Sequence, residues 1–117
     1  MRIFAIVLLL SMTSAHSQSL YLNYGQWEQM PIGFREIYLA GVFDTLSIVT
    51  EPAPAGMFAA RYYNECVART GLSSGQLEEN VRGYGQTHTD LQSKPVPVAL
   101  VGYLISLCGR AIDAMRE

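Results

Sequence analysis

Cys66 and Cys108 are the only cysteines in this chain of 117 residues, and the segment between them limits what it can fold into. A bridge joining them closes a loop of about 42 residues, tying the end of one helical segment to the far part of another. In the chain-entropy picture such a loop is worth roughly 4 kcal/mol, an upper figure because strain in real bridges lowers it. A small domain has a net stability of about 5–10 kcal/mol, so that is a large share. Whether the pair is oxidised depends on where the protein resides, and the N-terminus bears on that.

Arg2 supplies a minimal basic start, residues 3–12 an apolar run, and Ala15-His16-Ser17 a small-x-small cleavage site before Gln18. A bilayer span needs about 20 apolar residues. This run is about half as long before Ser11, Thr13 and Ser14 interrupt it, and no cysteine follows to carry a lipid. Residues 1–17 therefore read as a cleaved secretory signal peptide. Residues 18–117 read as one domain with its core over about 31–115, and the expected address is periplasmic or secreted. Without Arg2 the chain keeps 7 basic against 10 acidic residues, a net charge of −3. It has no cluster of Lys and Arg, which argues against nucleic acid and against an anionic membrane surface as partners. In an oxidising compartment an even cysteine pair reads first as a disulfide. A reactive thiol or a metal ligand is the alternative, but no CxxC is present and His88 is the only histidine outside the signal.

Residues 18–29 carry Tyr21, Tyr24 and Trp27 in a polar, glycine-containing context. They read as an extended lead-in whose aromatics either fold back on the core or form a sticky binding segment. Over residues 31–50, Phe34, Ile37, Tyr38, Gly41, Val42, Thr45, Leu46 and Val49 recur at three- and four-residue steps, which predicts a helix with that face buried. Gly41 on this face suits close approach of a second helix. Residues 51–56, rich in proline, end the helix and form a stiff connector. A shorter helix is expected over 57–69 with Ala59, Tyr62, Tyr63, Cys66 and Val67 inward, stopped by Gly71 in a left-handed cap.

Ser73 and Gln76 fit a capping box opening the next helix. Leu77, Val81 and Tyr84 mark its buried stripe, with Glu78, Glu79 and Arg82 outside; Gly83 and Gly85 weaken its last turns, which fray by His88. Lys94-Pro95-Val96-Pro97 opens the last helix, with Val98, Val101, Leu104, Ile105, Cys108 and Ile112 as its inward face. Arg110, Asp113, Arg116 and Glu117 keep its tail solvated. No segment alternates as a strand does. The expected fold is all-α, a compact bundle of about four helices stapled by one disulfide.

Gly71-Leu72-Ser73-Ser74-Gly75 matches G-x-S-x-G, the nucleophile elbow of α/β-hydrolases. That elbow needs a strand turning into a helix, whereas the segment before Gly71 reads as helical, so these serines read as a cap. His88 has Asp90 nearby but no nucleophile in prospect, and reads as a surface residue at a helix end. Glu78 and Glu79 are helix neighbours pointing about 100° apart, so they share no site, and acids in a first turn complement the helix dipole. No catalytic residue, metal ligand or cofactor site is expected, and the chain does not read as an enzyme.

The succession of motifs carries a resemblance. Tyr38-Leu39-Ala40-Gly41-Val42-Phe43-Asp44 resembles the "GYIxGVxDA" signature of the Rap/Tai family of type VI secretion immunity proteins. Cys66 followed by Gly71 to Gln76 and Leu77 is similar to that family's "C…GVTxGQL". Val81, Tyr84 and His88 then match its "VxxYLxxHPE" in part, and Pro97, Ala99, Leu100, Val101 and Cys108 resemble "PAxxLVxxALxxAFPC". The likeness covers residues 34–108. The cysteine often found before "GYI" is missing, with Phe34, Arg35 and Glu36 in that neighbourhood, and Thr89-Asp90 stands for "PE".

The resemblance implies a small, disulfide-containing helical periplasmic domain, similar in fold to HdeA-like acid chaperones. It further implies a non-enzymatic role in binding a protein partner, such as a secreted effector delivered by sister cells. Aromatic residues dominate contact hot spots, so Tyr21, Tyr24, Trp27, Tyr62 and Tyr63 are the candidate contact residues. The alternatives are an acid-responsive chaperone, whose carboxylates neutralise as pH falls and loosen the domain, and a structural domain with no partner. An isologous homodimer through a surplus apolar face is also compatible with this composition.

Overall fold

The computed structural model describes residues 22–49 and 54–117. Residues 1–17, read above as a signal peptide, residues 18–21, Thr50 and residues 51–53 of the predicted connector lie outside them. The described chain is all-α: α1 (Tyr24–Glu28), α2 (Ile32–Val49), α3 (Pro54–Thr70), α4 (Ser74–Thr87), α5 (Val96–Cys108) and α6 (Ala111–Ala114), with a 3-10 turn at Thr89–Ser93 between α4 and α5. Four of these are the long helices of the expected bundle, and no strand occurs among the described residues.

The first departure from expectation is α1. Residues 24–28 are helical, not extended, because Asn23 and Gln26 make a capping box of their own. The Gln26 N–H donates to Asn23 Oδ1 at 2.8 Å, and the Asn23 N–H to Gln26 Oε1 at 3.1 Å. A helix begun at Tyr24 places Tyr24 and Trp27 three residues apart on one face, and both are completely buried. Backbone bonds from Tyr24 N–H to the Lys94 carbonyl (2.8 Å) and from Val96 N–H to the Leu22 carbonyl (3.2 Å) anchor this turn to the entrance of α5. The Tyr24 hydroxyl donates to the Arg82 carbonyl at 2.9 Å and Trp27 Nε1–H to the Arg35 carbonyl at 3.2 Å. Each ring thus buries its polar end against a partner, as buried Tyr and Trp require. They form a core with Leu39, Leu77, Val81, Leu91, Val96, Ala99, Leu100 and Leu104.

Burial pushes the Tyr24 phenol from its ordinary 10.0 up to about 12, with the nearby Glu28 carboxylate adding to the rise. The unfolded chain releases this proton near pH 10, while the folded chain holds it to about 12. The stability tied to the neutral phenol is therefore intact below pH 10 and is lost as pH rises through about 12. In an alkaline titration followed by tyrosinate absorbance, the Tyr24 phenol should ionise near pH 12, together with the loss of helical circular dichroism.

The chain between α3 and α4 follows expectation. Gly71 takes a positive φ of 66°, ending α3 in the left-handed conformation that glycine adopts without penalty. Ser73 caps α4, with Gln76 N–H to Ser73 Oγ at 3.1 Å and Ser73 N–H to Gln76 Oε1 at 2.9 Å. His88 is the C-cap. α3 begins earlier than expected, with Pro54 as its first residue, where a missing N–H costs nothing.

The inward faces of three helices differ from those expected: in α2, Phe34, Ile37, Gly41 and Thr45 are exposed. In α5 the buried residues are Val96, Ala99, Leu100 and Leu104, while Val98 and Ile105 are exposed. The helix also stops at Cys108, because Gly109 turns the chain at φ 82°, so Ile112 falls on the short α6 and is exposed. In α4, Glu78 is buried, not outside, and forms an ion pair with Arg35.

Cys66 and Cys108 are joined as a disulfide with a Cα–Cα separation of 6.1 Å, fastening α3 to the last residue of α5. Tyr62 and Tyr63 complete this corner. The Tyr62 hydroxyl donates to the Cys108 carbonyl, and Tyr63 Oη meets the Gly109 carbonyl at 3.3 Å and the Ala111 N–H at 3.4 Å.

Candidate functional site

The surface that stands out lies on α2. Its inner side is anchored by Leu39, fully buried, with Tyr38, Val42, Phe43 and Leu46 partly buried against the core. Its outer side is apolar as well: Phe34 is 50% exposed and Ile37 76%, and at the start of the helix Ile32 is 58% exposed. Between Phe34 and Thr45, Asp44 is the only charged residue that is exposed. Residues 37–43 carry no charged or amide side chain, a pattern that suits an interior, yet Ile37 faces outward.

Beside Ile37 the surface dips into a groove of about 430 Å³, lined on α2 by Ile37, Tyr38, Gly41, Val42, Thr45 and Leu46 and on α5 by Pro97. Phe34 and Tyr38 stack along its approach, ring centres 6.4 Å apart at 20°. Gly41 does not receive a neighbouring helix as expected: a methyl added there meets no heavy atom within 4 Å. The missing side chain instead deepens the groove.

Of the five aromatics expected to make contacts, Tyr21 lies outside the described residues. Tyr24 and Trp27 are core residues and offer no surface, because the α1 capping box turns both rings inward. Tyr62 and Tyr63 are half-buried, edge to face at 5.3 Å, with their hydroxyls engaged at the α5–α6 corner. The structure does not bring the four described aromatics to one surface. The exposed apolar residues that share a helix face are Phe34 and Ile37, at i and i+3, and their spacing in the sequence fits an inward face equally well. The sign that was present in the sequence is the lack of any polar face on residues 37–43.

Ser73 and His88, the residues nearest to a catalytic motif in the sequence, both make local helix-end contacts. Ser73 is a helix cap. The His88 ring lies on Tyr84, centres 3.9 Å apart, with Nδ1 2.7 Å from the Tyr84 carbonyl and 3.0 Å from Thr87 Oγ1. Among the described residues, no group of three His, Cys, Asp or Glu side chains could hold a metal ion, and no helix is long and apolar enough to cross a membrane. Comparisons with protein-family models, curated proteins and solved structures return no match to this chain.

Proposed function

We propose that this chain is a non-enzymatic, exported domain that binds a protein partner through the outer face of α2, as an immunity-type inhibitor of a secreted effector. The observation that carries the binding role is the exposure of Phe34 and Ile37 beside an apolar groove. Exposed apolar surface beside a groove marks interaction sites, and a helix face presenting Phe34 and Ile37 at i and i+3 suits a complementary groove on a partner. The class of partner and the periplasmic address rest on the signal-like N-terminus and on the Rap/Tai-like order of motifs from 34 to 108.

The test uses the oxidised domain and the secreted effectors of the same strain, each titrated by calorimetry. One effector should bind in a fixed ratio, and cells lacking the domain should be killed by siblings that deliver it. Ile37→Asp changes an exposed position, so stability should move by no more than about 0.5 kcal/mol. Binding should weaken about 100-fold, the loss expected of a residue at the centre of a contact. Undiminished binding by Ile37→Asp would remove α2 from the interface. Unharmed cells lacking the domain would remove the immunity role.

A further inference from the structure

We infer that the corner of the bundle beside the disulfide holds a binding site for one small, uncharged, apolar molecule, the size of a single ring or a short alkyl chain. Where α2, α3 and α5 meet there is a cavity of about 200 Å³. Phe43 and Leu46 enter from α2, and Val101 and Leu104 from α5, but α3 presents Ala59 and Ala60 to the same space. Two consecutive alanines among large side chains leave the volume unfilled. Folded cores contain few voids larger than a water molecule, so helices around such a space tend to close over it.

Here the closure is opposed. Cys66 lies one turn beyond Tyr63 on α3, and Cys108 one turn beyond Leu104 on α5, so the bridge fixes the separation of two of the cavity walls.

The chemistry of the lining selects the occupant. Its polar side chains already have partners: Tyr63 Oη lies between Gly109 O and Ala111 N, and Asn64 Nδ2 donates to the Ala60 carbonyl at 2.9 Å. The space therefore offers van der Waals contact and little hydrogen bonding. Water is a poor occupant, since it needs two to four polar partners, whereas an apolar cavity of about 150 Å³ takes benzene. A slightly larger one suits benzene, toluene or the end of a single alkyl chain. Ile32, Phe34 and Ile37 do not line it, so this inference stands apart from the partner-binding reading.

The experiment titrates benzene into the oxidised exported chain, followed by saturation-transfer NMR and by thermal unfolding. Expected are saturable one-site binding, a higher melting temperature, and contacts from benzene to the Val101 and Leu104 methyl groups. Phenol should bind at least tenfold more weakly, because its hydroxyl finds no partner inside. Ala60→Leu and, separately, Ala59→Leu should fill the space and weaken benzene at least tenfold while helical circular dichroism is retained. Absence of saturable benzene binding would overturn the inference, as would undiminished binding in a folded filling variant. If neither variant folds, benzene contacts confined to methyl groups away from Val101 and Leu104 in the unmodified chain would overturn it equally.

Discussion

Gly85→Ala should lower the stability of this domain by about 3 kcal/mol, while Gly83→Ala, two residues earlier on the same helix, should raise it by up to about 1 kcal/mol. In a helix interior, glycine is about 1 kcal/mol less favourable than alanine, so both changes begin with the same gain. They differ in what the new methyl group meets. At Gly83 nothing lies within 4 Å, and propensity alone decides. At Gly85, which is buried, the methyl group overlaps Cζ, Cε2 and the hydroxyl oxygen of Tyr24.

That ring has nowhere to retreat. Its hydroxyl is bonded to the Arg82 carbonyl, one turn before Gly85, and its backbone is held by the α1 capping box and by Lys94. Accommodating the methyl group means expelling the ring, which costs about 3–5 kcal/mol for a large buried aromatic, less the helical gain. The check is urea unfolding followed by circular dichroism, extended to a double-mutant cycle. Tyr24→Ala alone should cost about 3–5 kcal/mol. Adding Gly85→Ala to it should cost nothing more, since the clash is gone, and the cycle should be strongly non-additive. Additive losses would show that the two residues do not touch.

The glycines show where reading the chain succeeds and where it stops. Gly71 was legible as a left-handed stop because the demand is local: a helix ends and the next one needs a cap two residues later. Ser73 and Gln76 were legible for the same reason, and so were the existence and number of the long helices. Gly41 and Gly85 were assigned each other's roles. Close approach was expected at Gly41, which faces an open groove, and mere helix weakness at Gly85, which carries the Tyr24 ring. Which glycine meets an aromatic depends on where that aromatic is sent, and Tyr24 is sent inward by the Asn23–Gln26 box, a local signal passed over in favour of an extended lead-in.

The phases of α2 and α5 were hidden for a different reason. Periodicity reports the buried side only when the other side is polar. In α5, apolar residues surround the axis, so Val98 and Ile105 fit a buried stripe as well as Leu100 and Leu104 do. In α2, Leu39 is buried and Ile37 is not, and only the packing of α4 and α5 separates them. The candidate site was obscured by the same ambiguity. An aromatic residue serves a core and a contact surface equally well, so the sequence offers Trp27 as a contact although it is fully buried and Ile37 is exposed.

Glu78→Ala should cost about 3–5 kcal/mol, although in sequence Glu78 looks no different from Glu79 beside it. Glu78 is the one buried charged residue among those described, 1% exposed, and it accepts from Arg35 Nε at 2.6 Å. Arg82 Nε stands 3.4 Å from the same oxygen, close enough for an ion pair although no hydrogen bond forms. Arg35 is also committed elsewhere, its Nη1 donating to the carbonyls of Met30 (2.6 Å) and Glu28 (3.4 Å). One carboxylate thus sets the position of an arginine that joins α2 to α4 and to the end of α1. Its removal leaves Arg35 largely buried and without its counter-charge, and that penalty is larger than the net worth of the pair.

The corollary separates pairing from burial. Glu78→Leu combined with Arg35→Met removes both charges and should return most of the loss, because an apolar replacement of a buried pair is often nearly neutral. Glu79→Ala, on the exposed side of the same turn, should change stability by less than about 0.5 kcal/mol. Urea unfolding of the four proteins at neutral pH measures all of these. A loss below about 1 kcal/mol for Glu78→Ala would mean that water reaches the carboxylate, and that α2 and α4 are held by Leu39, Leu77 and Val81 without help from the ion pair.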